Sequence, residues 1–308
     1  MVADVLVVGS YNAGLTVYAS KLPRPGETVG DARFDWGPGG KGANQAIGLR
    51  RLGIDTCLVA KLGEDVFGSH ARQVLLAEGL PAWGLLPADG PTGVAFIVVQ
   101  ADGENSIVVA PGANLELCLD DVIALGDNIG ASRFVLLQLE CRAELAVDVG
   151  RWARSGGRSA VLNPAPARPL PPGALSYFDI ITPNETELAL LSRGLGGPEG
   201  GTIESQASAL LENGAHNVVV TLGPRGALWA SSAGFESFEA YPAEARDTTG
   251  AGDAFSAALV GALARDASMP DAIDFACRAG AYCVSREGVI DGLANWETLA
   301  NMHKGPAS

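Results

Sequence analysis

Apolar and polar positions along the 308-residue chain fall into two rhythms. The first is a set of short continuous apolar runs at 4–9, 56–61, 134–139, 159–163, 179–182 and 217–222. Runs of that length closed by Gly, Pro or Asn predict parallel strands covered on both faces. Helical patterns at 68–78, 142–154 and 203–213 lie between them. Strand and helix in repeated succession predict an α/β fold with a doubly wound, mostly parallel sheet flanked by helices. The second rhythm alternates apolar and polar residues at 15–19, 28–36, 93–100 and 106–110, the last pair around a turn at 101–104. Alternation predicts a half-exposed sheet. We read it as a small β-sheet lid, built from segments inserted at about 11–38 and 91–112 into one domain spanning 1–308.

One stretch organises the chemistry: Asp247-Thr248-Thr249-Gly250-Ala251-Gly252-Asp253, followed by an apolar helix over 254–263. Two glycines at a helix start leave backbone N–H groups bare, and the helix dipole points its positive end the same way, which suits an anion. Asp253 is then either a carboxylate that favours the dipole or a general base beside an anion hole. In open α/β sheets ligands collect at the carboxyl ends of strands. Asn12, Glu140, Asn163, Asn184, Glu187 and Thr221 all fall on that rim. Gly37-Pro38-Gly39-Gly40-Lys41-Gly42-Ala43-Asn44 opens a helix reaching about Leu52. It matches G-x-G-x-x-G formally, but the preceding run alternates and no acidic residue follows at the ribose distance; the spacing is not that of a Walker loop either. Four glycines in six positions instead predict close contact with a small polar ligand.

Net charge of −14 and a pI near 4.6 argue against nucleic acid or an anionic membrane as partner. The apolar runs are too short to span a membrane, and no export signal precedes the first strand. Five cysteines without a pairing motif suggest reduced thiols, and His70, His216 and His303 stand too far apart to suggest a metal cluster. A cytoplasmic protein is expected. The sequon at Asn184-Glu185-Thr186 carries no weight in that setting; two acids and an Asn at a helix start suit a hydrated magnesium ion instead.

Six stretches together resemble the ribokinase-like (PfkB) family of sugar kinases. They are Pro-Gly-Glu-Thr at 25–28, Gly-Gly-Lys-Gly-Ala-Asn at 39–44, Gly-Glu-Asn at 103–105, Asn-Pro-Ala-Pro-Ala-Arg at 163–168, Thr-Pro-Asn-Glu-Thr-Glu at 182–187 and Asp-Thr-Thr-Gly-Ala-Gly-Asp at 247–253. The resemblance implies ATP-dependent phosphorylation of a sugar's primary hydroxyl, with Asp253 as base and the N–H groups of Gly250, Ala251 and Gly252 as anion hole. It implies that Asn12, Gly39, Gly40, Lys41, Asn44 and Glu140 hold the sugar, and that Asn184, Thr221, Gly223 and Gly226 bind ATP, with Cys277 near the adenine. Glu187 would help organise Mg2+, and K+ would sit against Asp247 and the carbonyls of Thr249, Arg286 and Gly288. A homodimer through the lid is implied as well.

The chain departs from the family's ribokinases after the first strand. They carry Asn-Ala-Asp, whose Asp grips two ring hydroxyls, where this chain has Asn12-Ala13-Gly14. Losing charged hydrogen bonds costs roughly 1.5–3 kcal/mol each, so either the enzyme takes a different sugar, or another residue replaces the contact, or ribose binds weakly. Gly292 stands where a serine often completes the cation site. Tyr11, Trp36 and Phe96 suggest an aromatic pocket, which would suit a nucleoside kinase. A hexose kinase and a non-catalytic sugar sensor are the other readings.

Overall fold

In the computed structural model, residues 3–100, 104–197 and 200–304 are described. The chain enters at once into β1 (Val5–Val8), which lies mid-sheet between β4 (Thr56–Gly63) and β8 (Phe134–Leu137), parallel to both. Its four residues are fully buried, and successive side chains point to opposite faces. Val5 and Val7 therefore join one core, and Leu6 and Val8 join another on the far side. Every covered strand in the parallel part works this way, which is why the runs are continuously apolar.

The sheet continues outward through β9 (Ser159–Leu162), β10 (Ile180–Ile181) and β11 (Asn217–Thr221), all parallel, to the antiparallel hairpin β12 (Ala227–Ser231) and β13 (Gly234–Phe238). On the other flank β5 (Leu85–Ala88) pairs with β4. The nine strands run β13-β12-β11-β10-β9-β8-β1-β4-β5. Helices α4 (Ala143–Ser155), α5 (Glu185–Gly194) and α6 (Ile203–Glu212) cover one face. Helices α1 (Lys41–Arg51), α7 (Ala251–Ala264) and α8 (Met269–Val284) cover the other. Helix α7 is apolar on every side because it is buried on every side. It lies so close to α1 that a Cβ at Gly48 would stand 2.9 Å from the Ala257 methyl.

A separate sheet, the one read above as a lid, is built from β2 (Asn12–Ala19), β3 (Arg33–Gly39), β6 (Val94–Gln100) and β7 (Asn105–Ala110), in the order β3-β2-β6-β7. Its strands fall within residues 12–39 and 94–110. Strand β3 starts at Arg33 instead of residue 28 and runs on to Gly39, so Gly37-Pro38-Gly39 pairs with Asn12–Gly14. As an edge strand it has no neighbour on one side to miss the proline's N–H. The turn expected at 101–104, with the start of the 103–105 motif, falls mainly outside the described residues; on its flanks Gln100 N donates to Glu104 O at 2.8 Å.

Candidate active site

The first turn of α7 sets the centre. Gly250 takes a left-handed conformation (φ 81°), and a Cβ there would meet the Val289 side chain at 2.5 Å, so only glycine turns the chain into this helix. The first helical bond runs from Ala254 N to Gly250 O (2.8 Å), which leaves the N–H groups of Gly252 and Asp253 without helical partners. Nothing stands within 4 Å of where a Gly252 Cβ would be, so the backbone there is open to the cleft. The third expected donor differs: Ala251 N–H turns back to Thr248 O at 3.3 Å.

Asp253 is buried at this helix start, and both carboxylate oxygens are held. Asn44 Nδ2 donates to Oδ2 at 2.8 Å, and Gln45 Nε2 donates to Oδ1 at 2.9 Å. The Asn44 side-chain oxygen Oδ1 is buried and has no hydrogen-bond partner, so it is free to accept from a donor in the cleft. A cleft of about 400 Å3 opens over Asp253, walled by Lys41, Asn184, Glu187, Thr221, Gly223 and Gly250 among others. Burial drives the Lys41 ammonium down, but Asp253, Glu140 and Glu187 around it outweigh that and hold it above its ordinary range. The Glu187 carboxyl is pushed up, first by burial and also by Asp253, against the pull of Asn184 N–H and Lys41.

The lid side of the site is built by backbone proximity. Gly40 (φ 92°) would put a Cβ 2.7 Å from Asn12 N, and Gly42 would put one 2.5 Å from Ser10 N. These two glycines let the start of α1 lie against residues 9–12, so the glycine-rich stretch is explained by chain packing before any ligand is considered. Asn12 Oδ1 accepts from Asn114 Nδ2 (2.9 Å), and Asn114 also bonds both backbone groups of Tyr11, fixing the Asn12 side chain. Glu140 Oε2 accepts from Ser10 Oγ (2.5 Å) and Lys41 N (2.7 Å), so this carboxylate anchors the start of α1 from the end of β8.

The family model for pfkB family carbohydrate kinases matches residues 2–296. A ribokinase of Staphylococcus aureus is 38% identical over 292 residues, covering 94% of this chain and 95% of the relative. A deoxyribokinase of Salmonella typhi is 32% identical over 293 residues, covering 92% and 94%. The solved structure of Arabidopsis thaliana ribokinase complexed with ribose and ATP superposes with a TM-score of 0.87 at 32% identity, covering 97% and 98%. The chain belongs to the pfkB family of carbohydrate kinases. It has the ribokinase-like fold, and family members are ATP-dependent carbohydrate kinases.

In this kinase the outer part of the cleft is made by strand ends. Asn184 and Glu187 form a reciprocal capping box on α5, Asn184 Oδ1 accepting from Glu187 N and Glu187 Oε2 from Asn184 N, both at 2.8 Å. A single parallel bridge sets Asn184 beside Thr221. Gly223 (φ 57°) is open to the cleft, whereas a Cβ at Gly226 would stand 1.9 Å from Phe238 O: that glycine serves the packing of the β12–β13 hairpin. Cys277 is buried within the core on α8 and does not line the cleft; desolvation pushes its thiol up to about 12. Asp247 Oδ1 accepts from Thr249 N (2.9 Å) and Oδ2 from Gly288 N (3.1 Å), which draws the segments around residues 247–249 and 286–288 together. Burial pushes the Asp247 carboxyl up, and the Thr249 and Gly288 bonds more than reverse it. The Arg286 side chain is exposed and packs over the Tyr282 ring, away from this pair.

The aromatic pocket suggested by Tyr11, Trp36 and Phe96 does not form. Tyr11 is fully buried in the core, its phenol pushed up to about 12 by desolvation. Trp36 and Phe96 pair across Leu15 in the lid sheet, one residue out of step with Asn12 and Gly14, and so occupy the opposite face. Trp36 packs against Phe67 and His70 of α2 (Val66–Ala77). Sequence reasoning missed Ser10, Gln45 and Asn114. Gln45 follows a residue it did single out, and its signal was a glutamine inside a helix whose other buried positions, Asn44 apart, are glycine, alanine, isoleucine and leucine.

Proposed function

We propose that this kinase transfers the γ-phosphoryl group of ATP to the primary hydroxyl of a small sugar, a pentose, with Asp253 as general base. The observation that carries the reading is the buried Asp253 carboxylate at the open N-terminus of α7, under a cleft that also holds a charged lysine. In the reaction Asp253 takes the proton of the acceptor hydroxyl. The freed oxygen bonds to the γ-phosphorus, and the bond to the bridging oxygen breaks to release ADP. Backbone N–H groups of Gly250, Gly252 and Asp253 stabilise the charge on the transferred group; the Ala251 N–H contributes less, being turned to Thr248.

Asn12, Asn44, Lys41 and the backbone of Gly39 and Gly40 hold the sugar, while Glu140 keeps Lys41 in place. Gly14, on the same strand face as Asn12, leaves room beside the ring. Asn184, Thr221 and Gly223 border the ATP phosphates and ribose, with Gly226 shaping their loop. Glu187 fits an Mg2+ ion that comes with ATP and keeps its water: among the described residues no group of three or more His, Cys, Asp or Glu converges for a metal. The Asp247 carboxylate between the Thr249 and Gly288 segments fits K+, which would add positive charge behind the anion hole. The lid closes over the site and keeps water from competing for the phosphoryl group.

We also infer a homodimer through the lid. Phe34, Phe96 and Val108 share one sheet face and are 59%, 50% and 68% exposed, an apolar patch of the kind that pairs subunits. A cytoplasmic location fits the acidic composition; no helix among the described residues is long and apolar enough to cross a membrane.

The test is ADP release with ATP, magnesium and potassium over pentoses, 2-deoxypentoses, hexoses and nucleosides, with Asp253→Asn as blank. A pentose should give the highest kcat/KM. Turnover of nucleosides alone would replace this reading, and sugar binding without turnover would make the protein a sensor.

A further inference from the structure

Behind the base lies a buried amide chain with no assigned part in the reaction. Gln45 is fully buried on α1, one residue past Asn44. Its Nε2 carries two protons and has two acceptors, Asp253 Oδ1 at 2.9 Å and Asn163 Oδ1 at 3.1 Å. Its Oε1 accepts from Gln138 Nε2 at 2.5 Å. The orientation is forced, because an ionised carboxylate only accepts; turned over, the Gln45 carbonyl would face two other acceptors. Gln138 Oε1 lies tight against Gly9, where an added Cβ would stand 2.0 Å from it, and it is buried with no hydrogen-bond partner, so the bond to Gln45 is what orients this amide. With Asn44 on Oδ2 and Gln45 on Oδ1, the Asp253 carboxylate cannot rotate without breaking a buried bond.

We propose that Gln45 is a positioning residue for the phosphoryl-transfer step, hydrogen-bonded to Gln138 behind it, which locks the plane of the Asp253 carboxylate. The proposal rests on the reading of Asp253 as base. A donor aimed at a carboxylate stabilises the charged state over the protonated one. Gln45 touches no substrate and acts only through Asp253.

The experiment is the pH dependence of kcat, with KM for ATP and for the sugar, in Gln45→Leu, Gln45→Glu and Gln138→Leu. Loss of one hydrogen bond to a charged group is worth on the order of a ten- to hundredfold change. Gln45→Leu should lower kcat by about that factor, leave KM for ATP within about twofold, and move the acid limb of the kcat profile up by about one pH unit. Gln45→Glu keeps the volume but sets a second carboxylate against the first, and should move the limb further. Gln138→Leu should move it the same way by less, and the Gln45→Leu/Gln138→Leu pair should be no worse than Gln45→Leu alone. A lower kcat with an unmoved acid limb would make Gln45 a packing residue and overturn the proposal. If Gln45→Leu does not fold, Gln138→Leu decides by the same limb. A wild type with no turnover on any sugar overturns the base reading and this proposal together; an active wild type with unmoved limbs overturns this proposal alone.

Discussion

Gly14→Asp tests how the acceptor is held. Gly14 lies in β2 opposite Gly37 and Ala95, on the face that presents Asn12. A Cβ there meets only Gly37 O at 3.6 Å, an ordinary contact, so an aspartate fits without moving the lid. Aspartate in a strand interior costs up to about 1 kcal/mol of stability. Each hydrogen bond between its carboxylate and a ring hydroxyl is worth about 1.5–3 kcal/mol. Discounting for the half-exposed position, we take about 1.5–3 kcal/mol for the pair of bonds, which is about a 10- to 100-fold gain in kcat/KM for ribose. 2-Deoxyribose offers one hydroxyl fewer and should gain about half as much in free energy. The assay is coupled ADP release at subsaturating sugar, with melting temperature as the folding control. A folded variant whose ribose kcat/KM stays within about twofold of wild type would refute the idea that this strand face reads the ring.

Other expectations follow from the same geometry. Asp253→Asn should lower kcat by about 10²–10⁴ while leaving calorimetric ATP and sugar binding in place; near-normal turnover would remove Asp253 from the base role. Gly40→Ala forces a left-handed φ and a 2.7 Å contact on Asn12 N, and should cost about 1–3 kcal/mol in urea unfolding and raise the sugar KM. Asp65 caps α2 and also accepts from Thr92; burial pushes its carboxyl up, but the Gly68 and Thr92 bonds outweigh that and hold it below the ordinary range. A depressed folded value means its stabilisation is present above the ordinary carboxylate range and lost as pH falls through the folded value. Asp65→Ala should therefore cost about 0.5–2 kcal/mol at pH 7, with the gap to wild type closing below about pH 4. Leu259→Ala, in the fully buried middle of α7, should cost about 2–5 kcal/mol by denaturant titration.

The parallel core was legible because a strand covered on both faces has to be apolar at every position, as β1 and β8 are. The edges were not. β5 and β13 have exposed positions and weak patterns, and β5 pairs only with β4, more than twenty residues back along the chain. Helix α8 carried its signals, Ser268 capping Asp271 and Pro270 in the first turn, but no rim motif drew attention to it. In the site, Lys41, Asn44, Asn184, Glu187 and Asp253 were singled out through turn chemistry and resemblance; four of them line one cleft, and Asn44 bonds Asp253. What sequence could not reveal was division of labour. Gly40, Gly42 and Gly226 serve chain packing, Glu140 anchors a helix start, and Tyr11, Trp36 and Phe96 point away from the cleft. Side-chain direction in a strand turns on register, and a one-residue offset separates Trp36 from the face that Asn12 presents.

The close approach of Gly40 and Gly42 to residues 9–12 bears on how such a chain can change its diet over evolutionary time. The two glycines and the base clamp are interlocked in the rigid body, where almost any replacement breaks the backbone fit. The lid face beside Asn12 is paved by Gly14, Gly37 and Ala95, positions with little or no side chain to lose. Selection for a new acceptor can therefore write side chains onto the lid one at a time, each adding or denying a contact, while the phosphoryl-transfer half is inherited unaltered.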